Sequence, residues 1–74
     1  MVMKMKIYVL LKDEQEGKET VCVSEDANKI RKFICENLDP NEDYPYLEIW
    51  ENGINRLMTK GSYVLKVIAR ELIQ

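Results

Sequence analysis

The chain has 74 residues, a length that fits one small domain with a single hydrophobic core and leaves little room for a large catalytic cleft. It carries 11 Lys and Arg against 13 Asp and Glu, and the net charge of -2 provides no overall positive field to attract nucleic acid or an anionic membrane. No apolar run approaches the roughly 20 residues needed to cross a bilayer, so we expect a cytoplasmic domain with no membrane partner.

Residues 3–12 alternate with the period of two that is typical of a β-strand. One set of alternate residues is Met3, Met5, Ile7, Val9 and Leu11, and the other is Lys4, Lys6, Tyr8, Leu10 and Lys12. The first set is apolar throughout, so we predict that it faces the core. A polar stretch with Gly17 interrupts the pattern, and the β-branched residues in 20–23 predict a return strand.

The segment after this hairpin has the signals of a helix. Ser24 offers a capping hydroxyl, and Glu25 and Asp26 place negative charge at the positive end of the helix dipole. Apolar residues then follow at helical spacing: Ala27, Ile30, Phe33, Ile34 and Leu38. The Asp39-Pro40 pair predicts the end of the helix, because a residue before proline is disfavoured in the α region.

A second, shorter version of the same pattern follows an acidic loop over 39–45. Residues 47–51 alternate again, and Asn52-Gly53 is a strong hairpin signal because both residues tolerate positive φ. The return strand over 54–59 has two possible registers. A two-residue turn groups Arg56 with the apolar face; a three-residue turn with a glycine bulge groups Leu57 with it and sets Glu48 opposite Arg56. We favour the second because it removes Arg56 from the core face.

The final helix begins near Gly61-Ser62, and its apolar surface is wider than one sheet face requires. It aligns with the first helix at a constant offset, Ile30 to Leu38 against Val64 to Leu72. The chain is therefore predicted to be one α+β domain over 1–74, a ββαββα pseudo-repeat with units 3–38 and 46–74. Packing the one-sided elements together predicts a four-stranded, mainly antiparallel sheet with two helices on one face.

The composition argues against catalysis and against bound cofactors. The chain has no histidine, which excludes His-based nucleophile pairs and mixed Cys and His zinc sites, and its three separated glycines build no phosphate-binding loop. Ser24 and Ser62 are expected to be helix caps, and Cys22 and Cys35 reduced, partly buried residues. Asp39, Asn41 and Asp43 resemble half of a calcium loop that lacks its glycine and its bidentate glutamate. We therefore predict a non-enzymatic protein with no metal and no cofactor.

Aromatic and apolar side chains on the sheet face opposite the core form the candidate site. We expect Tyr8, Leu10, Tyr46 and Trp50 on that face, where they would bind a protein partner or a second copy of the chain. The alternative is single-stranded nucleic acid, with Lys4, Lys6 and Lys12 contacting phosphates beside Tyr8. The negative net charge and Glu48 on the same face weigh against that alternative.

Overall fold

The computed structural model describes residues 5–39 and 44–73. The elements follow the order ββαββα: β1 (Lys6–Glu14), β2 (Gly17–Ser24), α1 (Ala27–Asn37), β3 (Pro45–Glu51), β4 (Ile54–Lys60) and α2 (Tyr63–Ile73). The predicted α+β class and the predicted element order are confirmed. β2 begins at Gly17, earlier than the predicted Thr20, because the alternating backbone pairing continues to the turn.

The four strands form one sheet in the order β2-β1-β3-β4, and every neighbouring pair is antiparallel. Each ββα unit thus contributes one central strand and one edge strand. The core lies between one face of the central strands and the two helices, and its members are Tyr8, Leu10, Ala27, Ile30, Ile34, Leu47, Ile49, Val64 and Ile68. The predicted arrangement, with both helices packed on one face of the sheet, is confirmed.

The two faces of β1 are the reverse of the prediction. Tyr8 and Leu10 are buried in the core, whereas Ile7, Val9 and Leu11 lie on the opposite face. The pairing with β3 explains this, because Tyr8 stands opposite Ile49 and Leu10 opposite Leu47, so all four share the face that carries the helices.

The two helices use equivalent positions to enter the core. Ile30 and Ile34 of α1 are buried, and so are Val64 and Ile68 of α2, which the internal alignment pairs with them. Asp26 is the N-cap of α1 and accepts a hydrogen bond from the Asn28 amide at 2.9 Å. α1 ends at Asn37, two residues before Asp39 of the predicted Asp39-Pro40 stop, and Leu38 is its C-cap.

The β3–β4 hairpin combines features of both predicted registers. Asn52 and Gly53 have φ of 52° and 81° and form a two-residue turn, so the preferred three-residue turn is wrong. A register shift between Ile49 and Trp50 leaves Arg56 as an extra residue on β4. It brings Leu57 opposite Ile49, so Leu57 shares the core face as the preferred register proposed. Glu48 stands opposite Met58 rather than Arg56.

Candidate functional site

The face of the sheet that points away from the helices is built on three cross-strand pairs between β1 and β3. Ile7 stands opposite Trp50, Val9 opposite Glu48, and Leu11 opposite Tyr46. All six side chains are half-buried. Since side chains directly opposite one another share a face, these pairs form three parallel rows across the middle of the sheet.

The edge strands extend this surface with two well-exposed apolar residues. Val23 of β2 stands opposite Val9 and is 58% exposed, and Met58 of β4 stands opposite Glu48 and is 52% exposed. We call the resulting surface the open face; it consists of Ile7, Val9, Leu11, Val23, Tyr46, Glu48, Trp50 and Met58. Among the described residues, both helices pack on the other side of the sheet.

Glu48 is the one acidic member of the open face, and it holds the indole of Trp50. Trp50 Nε1 donates a hydrogen bond to Glu48 Oε1 at 3.1 Å, a contact made possible because residues two apart on a strand share a face. The only hydrogen-bond donor of the indole is therefore already satisfied. A partner that covers Trp50 therefore does not bury an unsatisfied N–H group. Burying the indole carries no free-energy penalty of that kind.

The end of the open face around Tyr46 is basic and aromatic. Lys18 Nζ lies 4.6 Å from the centroid of the Tyr46 ring, and the Tyr44 ring meets Tyr46 edge-on at 5.6 Å. Lys60 stands opposite Tyr46 on β4. A shallow depression between them is lined by Lys18, Tyr46, Met58, Thr59 and Lys60. None of the described carboxylates forms an ion pair with either lysine.

The structure divides the four predicted partner-binding residues into two groups. Tyr46 and Trp50 lie on the face opposite the core, as predicted. Tyr8 and Leu10 lie in the core, 5% and 0% exposed, so their predicted placement on that face is wrong. The apolar residues that the open face carries in their place are Ile7, Val9 and Leu11, which the sequence pattern had assigned to the core.

Two of the three lysines of the predicted nucleic-acid platform, Lys6 and Lys12, are not on the open face either. Lys6 lies on the helix side of the sheet, and Lys12 shares its alternate set and stands on the same side, so that part of the prediction is wrong. Lys4 lies outside the described residues. The lysines that do border the open face are Lys18 and Lys60, which sequence reasoning did not select. Their cross-strand register with β1 and β3 places them there, and one sequence does not show that register.

A polar cluster ties the C-terminal half of α2 to β1. Glu71 Oε1 accepts hydrogen bonds from Lys6 Nζ at 2.6 Å and from the Tyr8 hydroxyl at 2.8 Å, while Lys6 also meets Glu51 at 3.5 Å. Sequence reasoning did not select Glu71. A signal was present, because Glu71 follows Ile68 by three positions and so points to the same side of the helix as that buried residue.

The contacts around Glu71 shift the pKa values of three groups: Glu71, Lys6 and Tyr8. Burial by itself raises the pKa of Glu71, but the hydrogen bonds from Lys6 and Tyr8 outweigh burial and leave that pKa below its ordinary value. The hydrogen bond to Glu71 raises the pKa of Lys6. Burial, and then the hydrogen bond to Glu71, raise the pKa of Tyr8 strongly. The three groups are therefore a carboxylate, an ammonium and a neutral phenol. Their contacts hold α2 against β1, and we call this arrangement of Lys6, Tyr8 and Glu71 the clamp.

The remaining candidate groups have simple positions. The N-cap of α1 is Asp26, so the predicted capping role of Ser24 is wrong; Ser24 Oγ instead accepts a hydrogen bond from the Asp26 amide at 3.0 Å. Cys22 is half-buried and reduced. Cys35 is reduced and exposed, so the predicted partial burial is wrong for Cys35.

Within residues 5–39 and 44–73, no group of three or more Cys, Asp or Glu could hold a metal ion. Residues 40–43 of the calcium-like segment lie outside the described part. No helix in that part is long and apolar enough to cross a membrane.

Comparison of the chain with protein-family models, with curated proteins and with solved structures finds no match.

Proposed function

We propose that this protein is a small protein-protein interaction module that binds its partner through the open face and acts without catalysis. The observation that carries the proposal is the open face itself, an aromatic and aliphatic surface in the middle of a sheet whose other side is filled by both helices. Contiguous apolar surface on a small domain is typical of a contact site. A histidine-free composition supports the non-enzymatic part.

Trp50 is the proposed anchor of the contact. Tryptophan and tyrosine dominate the binding energy of protein interfaces, and Trp50 and Tyr46 stand at the two ends of the β3 side of this surface. Between them lies Glu48, whose second carboxylate oxygen would lose solvent when a partner covers the face. The partner is therefore expected to supply a donor or a cation opposite Glu48.

A second copy of the chain is one candidate partner. Self-association could use the open face or the apolar residues that α2 exposes, namely Tyr63, Leu72 and Ile73. Sedimentation equilibrium over a range of concentrations measures this directly. A homodimer through the open face loses affinity when Trp50 is replaced, and a homodimer through α2 loses affinity when Tyr63 is replaced.

The test compares Trp50→Ala with Lys29→Ala, a change at an exposed position of α1 that belongs to neither candidate surface. Each purified variant is used to capture the partner from native cell extract, and the captured protein is then titrated. We expect Trp50→Ala to weaken binding by about 2 kcal/mol, roughly 30-fold, with thermal stability nearly unchanged. Equal binding by wild type and Trp50→Ala would contradict the proposal, as would turnover that disappears on substitution of one Glu, Lys or Cys.

Single-stranded nucleic acid is the second candidate, and the basic end of the open face is what favours it. Lys18 over the Tyr46 ring, with Lys60 beside it, combines an aromatic platform for a base with cations for phosphates. Binding of this kind weakens steeply with salt, and each phosphate contact removed lowers the log-log slope by about one. A titration of single-stranded RNA at two salt concentrations, with Lys60→Ala beside wild type, tests it. No binding at low salt would reject it.

A further inference from the structure

β4 is an edge strand that exposes apolar side chains on both of its sides. Leu57 stands on the helix side of the sheet and Met58 on the open face, and both are exposed, as is Ile54 at the start of the strand. α2 packs over β4 and exposes three further large hydrophobic side chains: Tyr63, Leu72 and Ile73. An edge strand flanked by exposed apolar residues is a surface on which another strand can add.

The other edge of the sheet is different. On β2 the well-exposed large apolar residue is Val23, and the strand carries charges of both signs at Lys18 and Glu19. Alternate residues of either edge strand point their N–H and C=O groups away from the sheet. Only at β4, among the described strands, do free backbone groups coincide with exposed apolar residues on both faces.

The charge of β4 selects between possible occupants. The strand contains Arg56 and Lys60 and no acidic residue, and Lys18 borders the same end of the open face. An antiparallel copy of β4 would bring two more cations to the contact and no carboxylate, so self-pairing is disfavoured by like-charge repulsion. A strand that carries carboxylates is favoured for the same reason.

We infer that β4 accepts an extended segment of a partner protein as a fifth, antiparallel or parallel strand, and that this segment alternates acidic with aliphatic residues. The alternation follows from the pleat: side chains on the open face would meet Lys60 and Lys18, and those on the other side would meet Leu57 beneath α2. This inference rests on the proposed function. It adds that the partner presents an extended backbone and that the side chains of this segment are acidic and aliphatic.

The experiment is selection of peptides from a displayed random library on the folded full-length chain. We expect enrichment of Asp and Glu alternating with Val, Ile or Leu, and amide chemical-shift changes centred on β4 when a selected peptide is added. N-methylation of one alternating set of peptide amides should abolish binding, and N-methylation of the other set should leave it intact, because only one set hydrogen-bonds to β4. Lys60→Glu should weaken binding roughly tenfold, while Lys29→Glu, an exposed lysine on α1, should not.

Several results would overturn the inference. These are enrichment of basic or uncharged peptides, no enrichment, equal effects of the two N-methylated sets, or stronger retention of single-stranded RNA than of any acidic peptide. Peptides whose shift changes map to Ile7 and Trp50 and spare β4 would also overturn it, while leaving the proposed function standing. The proposed function fails separately, when Trp50→Ala leaves partner capture unchanged.

Discussion

Replacing Glu71 with Gln tests the clamp between α2 and β1. The side chain of Glu71 is 11% exposed, and its carboxylate accepts two short hydrogen bonds, from Lys6 and from the Tyr8 hydroxyl. A hydrogen bond to a charged group contributes about 1.5–3 kcal/mol. Lys6 keeps 27% of its side-chain exposure, which weakens its share, and the glutamine oxygen can still accept from Tyr8. We therefore expect Glu71→Gln to lower the free energy of unfolding by about 1–2 kcal/mol in urea titrations at neutral pH.

The same substitution should change how stability depends on pH. The folded-state pKa of Glu71 lies below its ordinary value of 4.5, so its contribution is present above pH 4.5 and is lost as pH falls through the folded pKa. The pKa values of Lys6 and Tyr8 are raised, so their contributions are present below their ordinary values of 10.5 and 10.0 and are lost as pH rises further. The glutamine variant should show a flatter loss of stability in acid.

A double-mutant cycle with Tyr8→Phe isolates the contact itself. We expect a coupling energy of roughly 0.5–1.5 kcal/mol between the two changes, because both act on the same hydrogen bond. Tyr8→Phe removes its donor, and Glu71→Gln removes the negative charge that strengthens it. Glu36→Gln, at an exposed position on α1, is the matched control and should have little effect on stability. The reasoning fails if Glu71→Gln behaves like Glu36→Gln, or if the acid limb of the stability profile is the same in Glu71→Gln as in wild type.

Two further changes test the core and the turn. Leu10→Ala removes a fully buried side chain and should lower the free energy of unfolding by about 3–5 kcal/mol, enough to unfold most molecules of a domain this small. A urea unfolding curve close to that of wild type would mean that Leu10 is not in the core. Gly53→Ala should lower the free energy of unfolding, measured by thermal unfolding, by about 1 kcal/mol, because Gly53 has φ of 81°. A Cβ at this position would meet no atom within 4 Å, so the loss comes from the backbone conformation alone. Gly53→Asn should cost less, and equal losses for both variants would contradict this explanation.

The order and type of the elements could be predicted because their signals are local. Asp26 and the Asn52-Gly53 turn mark boundaries that short-range hydrogen bonding and positive φ require. The repeat between the helices was equally readable, since Ile34 and Ile68 occupy the same place in each unit and both are buried.

The orientation of β1 could not be read from β1 alone. Both sets of its alternate residues include large apolar side chains, so periodicity does not distinguish the core face from the other one. The choice depends on β3, where Leu47 and Ile49 alternate with Glu48, and on the register that sets Leu10 opposite Leu47. The lysines misled the prediction as well, because Lys6 lies at the border of the core and is held there by Glu71.

The division of the sheet between the two units has a consequence for how the chain folds. Each hairpin can form locally, but the central pairing of β1 with β3 joins strands separated along the chain by β2 and α1. Closing that long loop is expected to be the slow step, as it is for other non-local strand pairings. Until then each half exposes a central strand that carries large apolar side chains on both sides and has an unpaired edge. Two molecules at this stage could exchange halves, each β1 pairing with the other's β3, so refolding at high concentration should yield swapped dimers that are absent at low concentration.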